Sequence, residues 1–248
     1  MKHYGLIGNP VSHSLSAKYF NDKFALMGID ARYESILLKE IDGFPKILAS
    51  YPKLEGLNVT SPFKSSVIAY CNELDTTAAT IRSVNTLSIK RSGNNYYIKG
   101  YNTDADGFAV AAIPVLSGKT PDALILGSGG GARAVALTLA RMGIHYLIVS
   151  RTAGKGNLTY SELTGEHINS HHFIINATPL GMPRYIDGLP EIPYEHIGKG
   201  HILFALNYNP PTTPFLKKGR ERGATTSNGL VMLQAQAEKA WHIWNAQA

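Results

Sequence analysis

Leu126-Gly127-Ser128-Gly129-Gly130-Gly131-Ala132 is the stretch that most narrows the folds open to this chain. It follows an apolar run at 123–126 and precedes a helical pattern reaching residue 142, after which 145–149 reads as another strand. Strand, glycine turn, helix and strand within about 30 residues make a βαβ unit, the building block of an open α/β sheet. Gly127, Gly129 and Ala132 fill the three positions of a dinucleotide-binding turn, with alanine in the permitted third place and Gly130 beside them. The first glycine allows the tight turn and the second lets backbone N–H groups approach a pyrophosphate. The helix N-terminus then stabilises the anion.

The end of the next strand indicates which dinucleotide. An NAD site places an Asp or Glu about 20 residues after the turn to accept from the ribose hydroxyls. No acidic residue lies between Asp122 and Glu162; the strand ends instead in Ser150-Arg151-Thr152, with Lys155 close behind. Cations and a hydroxyl there suit a 2′-phosphate, which points to NADP.

The rest of the chain alternates in the same manner. Residues 4–7, 32–38, 54–59 and 96–101 read as strands and 16–27 as a helix stopped at Gly28. Beyond a helix at 107–116 come further strands at 173–176, 202–206 and 224–226 and a final helix at 230–244. Its apolar stripe Leu230, Leu233, Ala237, Trp241 and Trp244 must dock on something. In 248 residues, 44% hydrophobic and 17% charged, this describes a globular α/β protein of one large or two modest domains. The net charge of +6 is thinly spread, with 12 Lys+Arg against 10 Asp+Glu in residues 1–106 and 12 against 8 in 107–248. Nucleic acid binding, which needs a clustered cationic face, is therefore not expected. A single cysteine, Cys71, excludes an internal disulfide and a Cys-rich metal site, and His13, His171 and His172 lack partners at ligand spacing. With no membrane-length apolar run and no signal-peptide core, the expectation is a cytoplasmic protein without metal.

Polar residues cluster at the ends of the first strands. Ser14 and Ser16, two apart before a helix, point to one side if the backbone is extended and can share an anion; the alternative is that Ser16 simply caps the helix. In Asn58-Val59-Thr60-Ser61-Pro62-Phe63-Lys64, Asn58 and Thr60 share one side of a strand end, while Ser61-Pro62 reads as the start of a helix. Lys64 then falls in the first helical turn, where a cation opposes the dipole, a local violation of the kind that marks function. Asp104 opens the approach to the 107–116 helix, and Asp106 can cap that helix equally well, so Asp104 is available for chemistry. Asn85 stands where a strand prefers an apolar or β-branched residue; it is either a turn amide or a ligand-facing group.

Together these segments closely resemble the shikimate dehydrogenase family. The resemblance is carried by Gly8-Asn9-Pro10-Val11-Ser12-His13-Ser14-Leu15-Ser16, by residues 58–64, by Val84-Asn85-Thr86-Leu87, by Asn102-Thr103-Asp104 and by the glycine turn. It continues through Asn176-Ala177-Thr178-Pro179-Leu180-Gly181-Met182, Tyr208-Asn209-Pro210, Thr213-Pro214, Asn228-Gly229-Leu230 and Gln236-Ala237. It implies NADP-dependent, reversible reduction of 3-dehydroshikimate to shikimate. It also implies an N-terminal α/β substrate domain with a mostly parallel sheet, residues 1–106 and 229–248, and a Rossmann-like NADP-binding domain, residues 107–228. By position, Lys64 and Asp104 match the catalytic pair, and Ser14 and Ser16 the serines that hold the substrate carboxylate. Thr60, Asn85 and Gln236 match groups at the ring hydroxyls, and Tyr208 a tyrosine near the substrate. The glycine turn, Arg151, Thr152, Lys155, Asn176 and Thr178 match the cofactor side.

Some positions depart from the family pattern. Ala17, Phe20 and Ser150 stand where proline, histidine and asparagine are usual. Ala205 and Asn207 replace an aspartate and an apolar residue ahead of the tyrosine, and 153–172 is short for a full helix. Two other activities fit the same residues: a quinate/shikimate dehydrogenase with relaxed use of NAD and NADP, and a non-catalytic regulator that binds shikimate or NADP. A monomer or homodimer is expected.

Overall fold

The computed structural model describes residues 1–12, 14–93 and 95–246; His13, considered above as a possible ligand, lies outside them. The chain divides into two units, Met1–Thr103 with Gln236–Ala248, and Asp104–Ala235. The sequence reading put the divisions after residues 106 and 228.

The first unit runs β1 (Lys2–Gly8), α1 (Ser16–Met27), β2 (Ala31–Leu37), α2 (Phe44–Ser50), β3 (Leu54–Val59), β4 (Glu73–Leu74), α3 (Thr76–Ile81), β5 (Thr86–Ser92) and β6 (Asn95–Tyr101). Its sheet has the order β2-β1-β3-β5-β6-β4. β2, β1 and β3 are parallel neighbours, and β5 runs antiparallel to both β3 and β6. The period-2 alternation of β1 sends Tyr4 and Leu6 to one face and Ile7 to the other. The Tyr4 face is covered by α1, through Phe20 and Phe24, and by the chain's last helix, through Ala237, Ala240 and Trp244. α1 ends where Gly28 adopts φ 63, the left-handed C-cap that glycine takes without penalty.

The second unit runs α4 (Asp104–Leu116), β7 (Ala123–Leu126), α5 (Gly130–Arg141), β8 (Tyr146–Ser150), β9 (Leu158–Thr159), α6 (Gly165–Ser170), β10 (Phe173–Asn176), β11 (Ile202–Ala205), α7 (Pro214–Glu221) and β12 (Thr225–Ser227). The closing helix α8 (Leu230–Asn245) begins here and finishes in the first unit. All pairings in this sheet are parallel, in the order β12-β11-β10-β7-β8-β9. Counted from β7 the order is 3-2-1-4-5-6, the doubly wound dinucleotide-binding arrangement, whose direction reverses between β7 and β10. Strands covered on both faces read as continuous apolar runs, as Ala-Leu-Ile-Leu in β7 and Phe-Ile-Ile in β10 do. The segment after β8 is short, as the sequence suggested, and holds only the two-residue β9 and the six-residue α6.

Candidate active site

In the first unit the polar residues gather at the carboxyl ends of β1 and β3. Val59 N–H donates to the Asn85 carbonyl (2.8 Å) and Thr60 N–H to the Ile7 carbonyl (2.9 Å), so the exits of β1 and β3 lie beside the entry to β5. Ser14 and Ser16 are brought together with hydroxyls 3.1 Å apart, and Ser16 N–H donates to Ser14 Oγ (3.2 Å). Their convergence comes from a turn rather than an extended stretch: Leu15 is in the right-handed helical region and is itself the N-cap of α1. Ser16 is therefore the first helical residue, not the cap. The two hydroxyls sit at the positive end of a 12-residue helix.

Asn85, buried, is the hub of this edge. Its Nδ2 donates to Thr103 Oγ1 (2.9 Å) and to Gln236 Oε1 (3.0 Å), and its Oδ1 accepts from Thr103 N–H (2.7 Å) and Thr86 Oγ1 (3.2 Å). Asn58 extends the network, accepting from the Tyr33 hydroxyl (2.8 Å) and donating to Thr86 Oγ1 (3.0 Å). Tyr33, Thr86 and Thr103 were not among the expected site residues. Thr86 and Thr103 show in the sequence only as hydroxyls near strand ends and Tyr33 only as an aromatic within a strand, and many such residues do nothing.

Lys64 requires a correction. Residues 61–65 form turns, with Phe63 N–H bonded to the Thr60 carbonyl (3.1 Å), and helical structure starts only with the 3-10 segment Ser66–Tyr70. Lys64 is thus not in the first turn of an α-helix, and the dipole argument for it lapses. What holds it is its own carbonyl, which accepts from Val84 N–H (2.7 Å) and ties the half-buried lysine beside Asn85. The reading of Asp104 is corrected too. α4 begins at Asp104, so this buried carboxylate, with Asp106, occupies the first helical turn, where the dipole favours negative charge. It follows directly on Thr103, whose amide Asn85 holds.

In the second unit Gly127 has φ 108, and a Cβ there would come within 3.2 Å of the Ala177 carbonyl, so only glycine makes this turn without strain. Gly129 is the N-cap of α5, and the space a Cβ would enter there is open. The first intrahelical bond runs from Arg133 N–H to the Gly129 carbonyl, which leaves the N–H groups of Gly130, Gly131 and Ala132 without intrahelical partners at an open helix end. Ala132 is fully buried against the sheet. These features fit a dinucleotide pyrophosphate. Ser128 and Ser150 join hydroxyls at 3.1 Å across the ends of β7 and β8, and Thr152 N–H donates to Ser150 Oγ (3.3 Å). Arg151, Thr152 and Lys155 are exposed at the end of β8, without an acidic neighbour in the sequence. Tyr160, one place beyond the Ser150–Thr159 pair of β8 and β9, has a hydroxyl pushed up to about 12 by burial, while the Arg151 charge pulls the other way.

Asn176, fully buried at the end of β10, accepts from Thr178 N–H (3.0 Å) and Thr178 Oγ1 (2.6 Å). The segment after β10 is thereby folded over the glycine turn, where Thr178 Cγ2 would be 3.2 Å from a Cβ on Gly127. Tyr208 is half-buried after β11. Among the described residues no helix is long and apolar enough to cross a membrane, and no group of three or more His, Cys, Asp or Glu could hold a metal ion.

The sequence profile of the shikimate dehydrogenase substrate binding domain matches residues 6–87. The chain is 33% identical to a shikimate dehydrogenase (NADP(+)) of Methanosphaera stadtmanae, covering 98% of this chain and 91% of the relative. It is 35% identical to that of Methanococcus aeolicus, covering 97% and 90%. A solved structure of shikimate 5-dehydrogenase from Thermus thermophilus in complex with NADP(H) and shikimate superposes with a TM-score of 0.83 at 27% identity, over 99% of this chain and 94% of that one. On this near full-length similarity, the chain belongs to the shikimate dehydrogenase family.

Proposed function

We propose that this protein catalyses the reversible, NADP-dependent reduction of 3-dehydroshikimate to shikimate. The first unit binds the substrate and the second the cofactor. The observation that carries the reading is the edge of the first sheet, where a hydroxyl pair at a helix N-terminus and a buried carboxamide hub with Lys64 beside it lie at the exits of adjacent strands. Such an edge offers an anion site, donors and acceptors for ring hydroxyls, and a proton source. Ser14 and Ser16 take the substrate carboxylate, and Thr60, Asn85 and Gln236 orient the ring hydroxyls, with Tyr208 close to the substrate. Gly127, Gly129, Gly130 and Ala132 hold the pyrophosphate, Arg151, Thr152 and Lys155 the 2′-phosphate, and Asn176 and Thr178 the path of the dinucleotide.

Bound NADPH supplies the hydride that reaches the carbonyl carbon. The oxygen then needs a proton, which Lys64 delivers in its ammonium form and takes back in the reverse direction. Asp104 is assigned the second catalytic role, holding a substrate hydroxyl for the transfer. The protein acts on soluble small molecules in the cytoplasm, as a monomer or homodimer.

The test is the nicotinamide absorbance change on mixing protein, shikimate and NADP⁺, repeated with quinate and with NAD⁺. Turnover is expected with shikimate and NADP⁺ well above the other pairs. Comparable turnover of quinate would make the enzyme a quinate/shikimate dehydrogenase, and no turnover with any pair would leave a non-catalytic binder.

A further inference from the structure

Asn207 stands two residues beyond β11 and is 7% exposed, so its carboxamide has to find partners inside the protein. Nδ2 donates to the Leu180 carbonyl (2.9 Å) and to the Thr178 carbonyl (3.2 Å), both on the segment that leaves β10. Its main-chain carbonyl accepts from Gly229 N–H (3.0 Å), which fixes the backbone from which the side chain reaches. Asn176 grips the same segment as well. Its Nδ2 donates to the Leu180 carbonyl (3.3 Å) and its Oδ1 accepts from Thr178, so Leu180 receives two amide donors.

The segment needs such a clamp. Pro179 has no N–H to give, and residues 177–180 lie beyond the sheet ladder, which ends at the Asn176–Ala205 pair. β11 ends at Ala205 and the chain bends at residue 206, so Asn207 reaches the segment after β10 from beyond the strand. The clamp acts where the sheet direction reverses, with Ala177 and Thr178 already in contact range of the glycine turn. A small shift of Thr178 or Leu180 therefore changes the wall along which a dinucleotide would lie.

We propose that Asn207 is a positioning residue for the dinucleotide, holding the Thr178-Pro179-Leu180 wall through two buried amide-to-carbonyl hydrogen bonds. This rests on the cofactor reading of the second unit. The experiment is fluorescence titration of NADPH, without shikimate, into the unaltered protein, Asn207→Leu and Asn207→Asp. Asn207→Leu keeps the volume and loses both donated bonds, and is expected to weaken NADPH binding about tenfold. Asn207→Leu should raise the KM for shikimate less than it weakens NADPH binding, because among the residues proposed to hold shikimate only Tyr208 lies on the same segment. Asn207→Asp sets a carboxylate against two carbonyls and should bind more weakly still at neutral pH, recovering as the pH falls and the carboxyl becomes a donor. Should Asn207→Leu not fold, Asn207→Ala, smaller and equally unable to donate, replaces it, with circular dichroism melting as the check. NADPH affinity unchanged within about twofold in the folded variant would overturn this inference alone. No NADPH binding by the unaltered protein would overturn the cofactor reading and the inference with it.

Discussion

Asn85 shows how one carboxamide can organise a site, since its Oδ1 is the acceptor for the buried Thr103 N–H, directly before Asp104, while its Nδ2 reaches Gln236. The neighbouring Val84 N–H bonds the Lys64 carbonyl, so this short segment anchors the backbone of Lys64 and of Thr103 alike. Lys64→Met is expected to lower turnover by about 10² to 10⁴, the range of general acid catalysis, with shikimate still binding in a calorimetric titration. Near-normal turnover would remove Lys64 from the chemistry. Arg151 lies at the exposed end of β8, the place proposed above for the 2′-phosphate that distinguishes NADPH from NADH. Arg151→Ala should therefore raise the KM for NADPH far more than that for NADH; equal losses would refute the assignment. Of this scale the sequence showed residue types at strand ends, enough to nominate Ser14, Ser16, Lys64, Asn85 and Asp104. It misled about their local setting, because the turns at 61–65 and the start of α4 depend on partners elsewhere. The Asn85–Gln236 bond, between residues 151 apart, exists only once the tertiary fold is made.

Among the elements, α8 carries both tryptophans of the chain. Trp244 stacks on Tyr4 at 4.8 Å, packs near Phe20 at 5.3 Å and donates its indole N–H to the Leu87 carbonyl (3.0 Å). A methyl group on Gly56 would overlap the indole ring, so β3 has glycine where the helix presses closest. Trp244→Ala should destabilise the first unit by about 3 to 5 kcal/mol in a urea titration, as expected for deleting a buried aromatic. Further along the same packing, Glu238 accepts from Lys23 (2.7 Å) and from the Tyr19 hydroxyl, joining α8 to α1. Burial pushes the Glu238 carboxyl up, but the Lys23 and Tyr19 hydrogen bonds outweigh it and hold the group below its usual range. A carboxyl lowered by folding adds stability above its unfolded pKa, a contribution lost as the pH falls through the folded value. Glu238→Gln should therefore cost stability at neutral pH, with the difference from the unaltered protein shrinking below about pH 4 in thermal melts; a pH-independent difference would contradict the ion-pair account. The apolar stripe of this helix was legible in the sequence as a face that needed a partner. β5 was not: Thr86 and Ser88 are buried hydroxyls, and they break the apolar signature that marks the other strands.

At the scale of the whole molecule, the alternation of strands and helices and the glycine turn indicated an α/β protein with a βαβ unit, and the family resemblance added the division into two domains, the second Rossmann-like. They did not reveal the antiparallel β5 and β6 pair, because strand direction depends on a hairpin whose polar residues, Ser92 and Gly93 among them, also suit an ordinary loop. The path of the chain is the other feature of this scale. It leaves the first unit after Thr103 and re-enters at Gln236, bringing Ala237, Ala240 and Trp244 onto the face that displays Tyr4, Phe20 and Phe24. A ribosome makes these parts in the opposite order to their need, since the sheet emerges first and its aromatic cover last. Throughout synthesis of the intervening residues the nascent protein carries a greasy, half-finished surface. A message cut short anywhere before the final helix therefore yields a product for chaperones and proteases rather than a free-standing substrate domain.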